Sequence, residues 1–333
     1  MRRFMKSILT AAKWVFGTLA LLIALGVGSV YFGFSDEVDG GYSFDPMDIP
    51  ADLDAYLAVQ EAGVLDLRPE EHKRIIWAGD VGQQTDLAIV YLHGYSASSE
   101  EIRPVPDQVA DTLGANLFYT RFAGHAREGA AMAEPRGEDW LNDTAEAMEI
   151  GRRIGKRVIV LSTSTGGTLA TAAAADPDMA KGLAGIVMVA PNFRIANPMA
   201  TILTWPGVRW WGPKVAGEMR EFEPENALHA KYWTTRYPTV ATVTLGHMVR
   251  YVSKVTYENL TQPALFIFSD QDQVVDPEAT RAVIGRWGGP VETEVMPIRD
   301  GVDAYGHVLV GDIKSPANTE WAVGRIVAWI SSL

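Results

Sequence analysis

The stretch Arg157-Val158-Ile159-Val160-Leu161-Ser162-Thr163-Ser164-Thr165-Gly166-Gly167-Thr168-Leu169-Ala170 decides the fold. Val158 to Leu161 is a short β-branched run that reads as a buried strand. Leu169 to Ala175 is alanine-rich and reads as a helix. Between them lie only small and hydroxyl residues. Strand, sharp turn and helix with a serine at the apex is the geometry of a nucleophile elbow. The turn lifts Ser164 clear of the sheet and aims a helix N-terminus at any negative charge forming there. Gly166 and Gly167 let strand and helix pack closely behind the serine. The usual pattern, G-x-S-x-G, has Ser162 at its first position in this chain.

Outward from the elbow, strands and helices alternate. Lys73–Ala78 and Asp86–Leu92 read as strands around a polar turn, and the second ends in His93-Gly94-Tyr95. Ile102, Val105, Val109 and Leu113 mark one helix face. Asn116–Thr120 reads as a strand and Trp140–Ile154 as a helix. After the elbow, Leu183–Val189 and Ala264–Ser269 read as strands, followed by the helix Thr280–Trp287, the strand Val291–Ile298 and a closing helix Ala317–Ile330. This alternation predicts an α/β fold, a mostly parallel sheet covered by helices on both faces. Residues 192–262 break the rhythm. They hold Trp205, Trp210, Trp211, Trp233, Tyr232, Tyr237 and Tyr251, and are expected to form a cap or lid with an apolar wall.

Composition narrows the classes. Of 333 residues, 47% are apolar, enough for a sizeable core. With no cysteine, disulfides and thiolate chemistry are excluded. A net charge of −12 argues against a nucleic-acid surface, which needs clustered Lys and Arg. No H-E-x-x-H, no run of metal-ligand spacing and no nucleotide-binding glycine loop occurs, so neither a metal nor a cofactor is expected.

The N-terminus carries its own expectation. Arg2, Arg3, Lys6 and Lys13 precede Trp14–Phe34, which has no charged residue, and Asp36, Glu37 and Asp39 follow. An apolar run of this length reads as a transmembrane helix over 14–34, within an anchor segment 1–39 ahead of a catalytic domain 40–333. The charge asymmetry predicts a single pass with the N-terminus cytoplasmic and the remainder on the outer, periplasmic or extracytoplasmic side. A cleaved leader leading to secretion is the competing reading. The run is long for a leader and no A-x-A site follows it.

A serine hydroxyl is a weak nucleophile until a base takes its proton, and that base needs an orienting carboxylate. On an elbow fold the three occur in the order serine, acid, histidine. Of the six histidines, His72, His93, His125, His229, His247 and His307, only His307 follows the region that can supply the acid. Asp270, Asp272 and Asp276 all follow the strand Ala264–Ser269 and compete for that role. The oxyanion requires two backbone N–H groups. One is expected from Thr165, after the nucleophile, and one from Tyr95, after His93-Gly94.

These pieces together resemble the α/β-hydrolases of the monoacylglycerol lipase, lysophospholipase and carboxylesterase group, the serine aminopeptidase-like hydrolases. The resemblance rests on His93-Gly94-Tyr95-Ser96-Ala97-Ser98, Arg121 with Gly124-His125, Trp140 to Asp143, Ser162 to Gly167, Asp272-Gln273-Val274-Val275 and Gly306-His307, and it covers roughly residues 70–333. That group carries its acid in G-x-x-D-x-x-V. Ser269 stands at the glycine here, so the resemblance implies Asp272. It further implies a cofactor-free serine hydrolase acting on a carboxylic ester or lipid, with amidase, peptidase and acyltransferase chemistry using the same residues. A non-catalytic binding module on the same fold is the alternative from another class. Ser162 and Thr165 depart from the group's pattern and place two extra hydroxyls beside the nucleophile.

Overall fold

The computed structural model describes the backbone of residues 2–33 and 36–333, with side chains over 13–28 and 36–333. Helix α1 is Arg2–Gly33. The expected transmembrane helix over 14–34 is not upheld. Among the described residues no helix is long and apolar enough to cross a membrane. The apolar side chains over 13–28, Trp14 and Phe16 among them, are exposed. Phe34, at the end of the expected span, lies outside the described residues. The single-pass placement with an outer-side domain rested on that helix and falls with it.

After α2 (Leu53–Ala62), strands β1 (Arg74–Ile76) and β2 (Thr85–Leu92) follow in sequence but are not neighbours. Helix α3 (Val105–Leu113) leads to β3 (Asn116–Tyr119), which lies between them, antiparallel to β1 and parallel to β2. Helix α4 (Gly137–Ile154) then feeds β4 (Gly155–Thr163), α5 (Thr165–Ala175) and β5 (Leu183–Val189). The insertion holds α6 (Val208–Ala216), β6 (Met219–Glu221), α7 (Ala227–Tyr232), β7 (Arg236–Pro238) and α8 (Ala241–Ser253). β8 (Ala264–Phe268), α9 (Pro277–Ile284), β9 (Val291–Val295) and α10 (Thr319–Ile330) complete the chain.

The main sheet runs β1-β3-β2-β4-β5-β8-β9, parallel throughout except for β1. Its central strands are apolar on both faces because both are covered. Val90, Leu92, Val158, Val160, Met188 and Phe266 face one apolar layer with Met148 of α4 and Leu169 of α5. Ile89, Tyr91, Ile159, Leu161, Val187 and Ile267 face the other with Val109 of α3 and Ile326 of α10. The period-two alternation of one strand supplies both layers.

The insertion is two structures rather than one. β6 and β7 form a separate antiparallel pair, joined to the helices before and between them. Helix α8 instead turns Leu245, Met248 and Val252 into the same apolar layer as α4 and α5. Gly246 lies against the Leu203 side chain, too close for a Cβ without a shift.

Candidate active site

The loops at the carboxyl ends of β2, β4, β5 and β8 converge on one rim, where parallel α/β sheets build their sites. Ser164 follows β4 directly and takes φ +52°, ψ −114°, a left-handed conformation that a non-glycine residue adopts only where its surroundings enforce it. Three contacts enforce it. The Ser164 N–H donates to the Val189 carbonyl at 2.9 Å, and the Ser164 carbonyl accepts from the N–H groups of Gly167 and Asn192, both at 2.9 Å. A Cβ on Gly166 would overlap the Leu92 carbonyl oxygen, and one on Gly167 would come within 2.7 Å of the Pro191 Cβ. Glycine at both positions therefore lets α5 start flush against β2 and β5.

His307 follows Gly306, whose φ of +67° suits glycine. The Ser164 hydroxyl donates to His307 Nε2 at 3.0 Å, and His307 Nδ1–H donates to Asp272 Oδ2 at 2.9 Å. The other oxygen of Asp272 accepts the Val274 and Val275 N–H groups at 2.8 and 3.0 Å, which fixes the carboxylate plane. Burial alone would push the His307 pKa down, but the Asp272 charge and hydrogen bond, helped by Glu101 and Asp303, raise it above the usual histidine value. The structure thus brings Ser164, His307 and Asp272 into one hydrogen-bonded line.

The competing aspartates are occupied elsewhere. Asp270 is exposed and binds Arg281 through both oxygens. Asp276 caps α9 through the Glu278 N–H at 2.9 Å and pairs with Arg194. His93 donates from Nδ1 to the Gly94 carbonyl and accepts the Phe122 N–H on Nε2, which fixes a neutral tautomer. It meets His125 edge-on, and both are held well below the usual histidine range, chiefly by burial.

Among the described residues, the amide N–H groups of Tyr95 and Thr165 donate to no acceptor. The two extra hydroxyls behave differently. Ser162 donates to the Val187 carbonyl at 2.9 Å inside the sheet, so it serves the strand pairing. Thr165 Oγ1 is buried and unpartnered beside the nucleophile. Around the mouth, Tyr95 meets Tyr237 of β7 edge-on at 5.4 Å between ring centroids, with His125 and Trp140 behind it.

Sequence reasoning passed over two carboxylates. Asp303 accepts the N–H groups of His307 and Val308 on Oδ2, at 3.2 and 2.8 Å, and is ion-paired to Lys314. Glu101 is buried against Gly94 and Tyr91. Its place seven residues past His93-Gly94 was the available signal for Glu101; Asp303 precedes His307 by four residues.

The fold and this rim define an α/β-hydrolase. The profile of the family described as serine aminopeptidase, S33, matches residues 83–297, so the chain belongs to that family and is a hydrolase. The match ends before His307. No curated protein matches the chain in sequence. Among solved structures, one reported for the metagenome-derived lipolytic enzymes LipS and LipT is 19% identical with a TM-score of 0.63, over 80% of this chain and 100% of that one. A Saccharomyces cerevisiae monoglyceride lipase in complex with a substrate analogue is 12% identical with a TM-score of 0.56, over 78% and 91%. The Paleococcus ferrophilus monoacylglycerol lipase is 13% identical with a TM-score of 0.54, over 78% and 98%. At these identities the likeness is one of fold.

Proposed function

We propose that the chain is a serine esterase acting on carboxylic esters with an apolar acyl group, through Ser164, His307 and Asp272. The observation that carries this reading is the hydrogen-bonded line from Ser164 Oγ to His307 to Asp272. His307 Nε2 takes the Ser164 proton as Oγ attacks the ester carbonyl. Asp272 holds the ring and balances the imidazolium charge. The negative oxygen of the tetrahedral intermediate is held by the Tyr95 amide, after β2, and by the Thr165 amide at the start of α5. His307 then returns the proton to the leaving alcohol, leaving an acyl-enzyme. Water, deprotonated by the same ring, releases the acid. The half-buried rings of Tyr95 and Tyr237 favour an apolar acyl chain, with β6, β7 and the helices α6 and α7 as a cap over it. The lipases among the similar folds fit such a substrate.

A fluorophosphonate probe should label the protein, and Ser164→Ala should abolish both labelling and turnover of p-nitrophenyl esters. Equal labelling of the two proteins would end this reading. The family's description favours an amide bond as a second reading. Turnover of aminoacyl anilides exceeding that of p-nitrophenyl esters would select it.

A further inference from the structure

Glu101 sits 2% exposed at the back of the rim, where a carboxylate is expensive to bury without a cation. Among the described residues no Lys or Arg pairs with it. Its Oε2 accepts the Gly94 N–H at 2.7 Å and the Tyr91 hydroxyl at 2.9 Å. The Tyr91 oxygen lies 3.2 Å from Thr163 Oγ1, which donates in turn. The chain of bonds thus runs from Thr163, the residue before the nucleophile, through Tyr91 and Glu101 to Gly94, the residue before Tyr95. Gly94 borders the peptide of the Tyr95 amide, and Thr163 stands one residue ahead of the peptide of the Thr165 amide. A Cβ on Gly94 would come within 2.5 Å of Glu101 Oε1, so the glycine and the carboxyl are fitted to each other.

We propose that Glu101 is a positioning residue for the oxyanion hole, holding the His93–Gly94 peptide that leads into Tyr95 in register with the start of α5 through Tyr91 and Thr163. This inference rests on the serine-esterase reading of Ser164. Anchoring the Gly94 N–H on Glu101 fixes the His93–Gly94 peptide plane, and the Tyr95 amide follows it after one residue, Gly94, whose close contact with the carboxyl narrows the room it has to turn. A leucine of similar volume would be cheaper to bury, and it would leave the Gly94 N–H without an acceptor.

The test compares Glu101→Leu and Glu101→Gln in the full chain, with p-nitrophenyl butyrate as substrate and an alkyl boronic acid as probe of the tetrahedral oxyanion. Loss of a whole oxyanion donor costs about 100- to 1000-fold in kcat, so a displaced one should cost about 10- to 100-fold. The leucine variant should lose that factor in kcat and in boronate affinity, with KM within about threefold and a single cooperative melt. The glutamine variant, whose amide oxygen still accepts, should recover most of both. If the leucine variant does not fold, Tyr91→Phe takes its place, with a smaller loss in the same two quantities. Unchanged kcat and boronate affinity, or losses that follow a lowered melting temperature and are not rescued by glutamine, would overturn the inference. A wild-type protein inert to ester, boronate and fluorophosphonate alike would instead remove the reading beneath it.

Discussion

Asp303 carries the peptide that presents His307: one carboxylate oxygen accepts the His307 N–H at 3.2 Å and the Val308 N–H at 2.8 Å. The other oxygen accepts the Tyr305 N–H at 3.1 Å. Lys314 lies 3.2 Å away and, with the hydrogen-bonding amides, holds the Asp303 pKa below the usual carboxylate value despite burial pushing it up. Asp303 is thus to the imidazole's backbone what Asp272 is to its ring.

Asp303→Ala should leave Ser164 and Asp272 intact and still cost about 100-fold in kcat/KM, the scale of a misplacement near 1 Å. It should also lower stability by about 1–3 kcal/mol, because the Tyr305, His307 and Val308 amides lose their acceptor while Lys314 keeps Glu225. Steady-state kinetics and thermal melting read the two effects separately. Kinetics matching wild type would show that the loop holds His307 without its carboxylate.

The pH profile follows from the raised His307 pKa. The base must be neutral to accept the Ser164 proton, so kcat/KM should rise with pH and level off above the folded pKa. With the charge of Asp272 outweighing burial, the midpoint of that limb should lie above the ordinary histidine value of about 6.5. In Asp272→Asn burial remains and the charge is gone, so the residual activity should titrate below that value. A wild-type midpoint under 6.5 would contradict the electrostatics of the site.

Glu101 predicts a stability trend of its own. Burial, partly offset by the Gly94 and Tyr91 hydrogen bonds, raises its pKa to about 7 from the model-compound 4.5. An acid with a raised folded pKa contributes stability at low pH. That contribution is lost as pH climbs from the unfolded value to the folded one. Between about pH 4.5 and 7 the wild type should therefore lose roughly 3 kcal/mol relative to Glu101→Gln, which has nothing to titrate there. Denaturant unfolding of both proteins at pH 4, 6 and 8 measures it, and parallel curves would refute it.

Two glycines should answer alanine with opposite signs. Gly166→Ala drives a methyl into the Leu92 carbonyl, backbone that cannot step aside, and should destabilise by about 1–3 kcal/mol while slowing fluorophosphonate labelling. Gly324→Ala, mid-helix in α10 with open space around it, should stabilise by about 1 kcal/mol through helix propensity. Melting curves decide both.

The sequence made the elbow legible because its constraints are local: a β-branched run, a serine, two glycines and an alanine-rich helix, all within one short stretch. Chain order then isolated His307, and resemblance chose Asp272 over its neighbours. Glu101, Tyr91 and Asp303 stayed hidden. Each is an ordinary residue until a partner distant in sequence arrives, and what marks them, burial without a counter-ion or a bond to an amide, exists only in three dimensions. The order of β1, β3 and β2 was equally invisible, since consecutive strands need not pair. At the N-terminus, apolar length and flanking charge suggested a membrane span that the described residues do not supply. The insertion was visible as a break in rhythm, but nothing in its aromatic content separated the β6–β7 pair from α8, whose Leu245, Met248 and Val252 belong to the main core.

That division tells an engineer where to cut. The Thr239 N–H closes on the Glu218 carbonyl at 2.8 Å, while the Asn192 N–H is pinned to Ser164. Everything that could be exchanged for another enzyme's roof therefore lies between those two staples. A chimaera joined just before α8 would keep the wall behind the nucleophile, whereas one joined after it, at the start of β8, would carry away part of the host's own foundations.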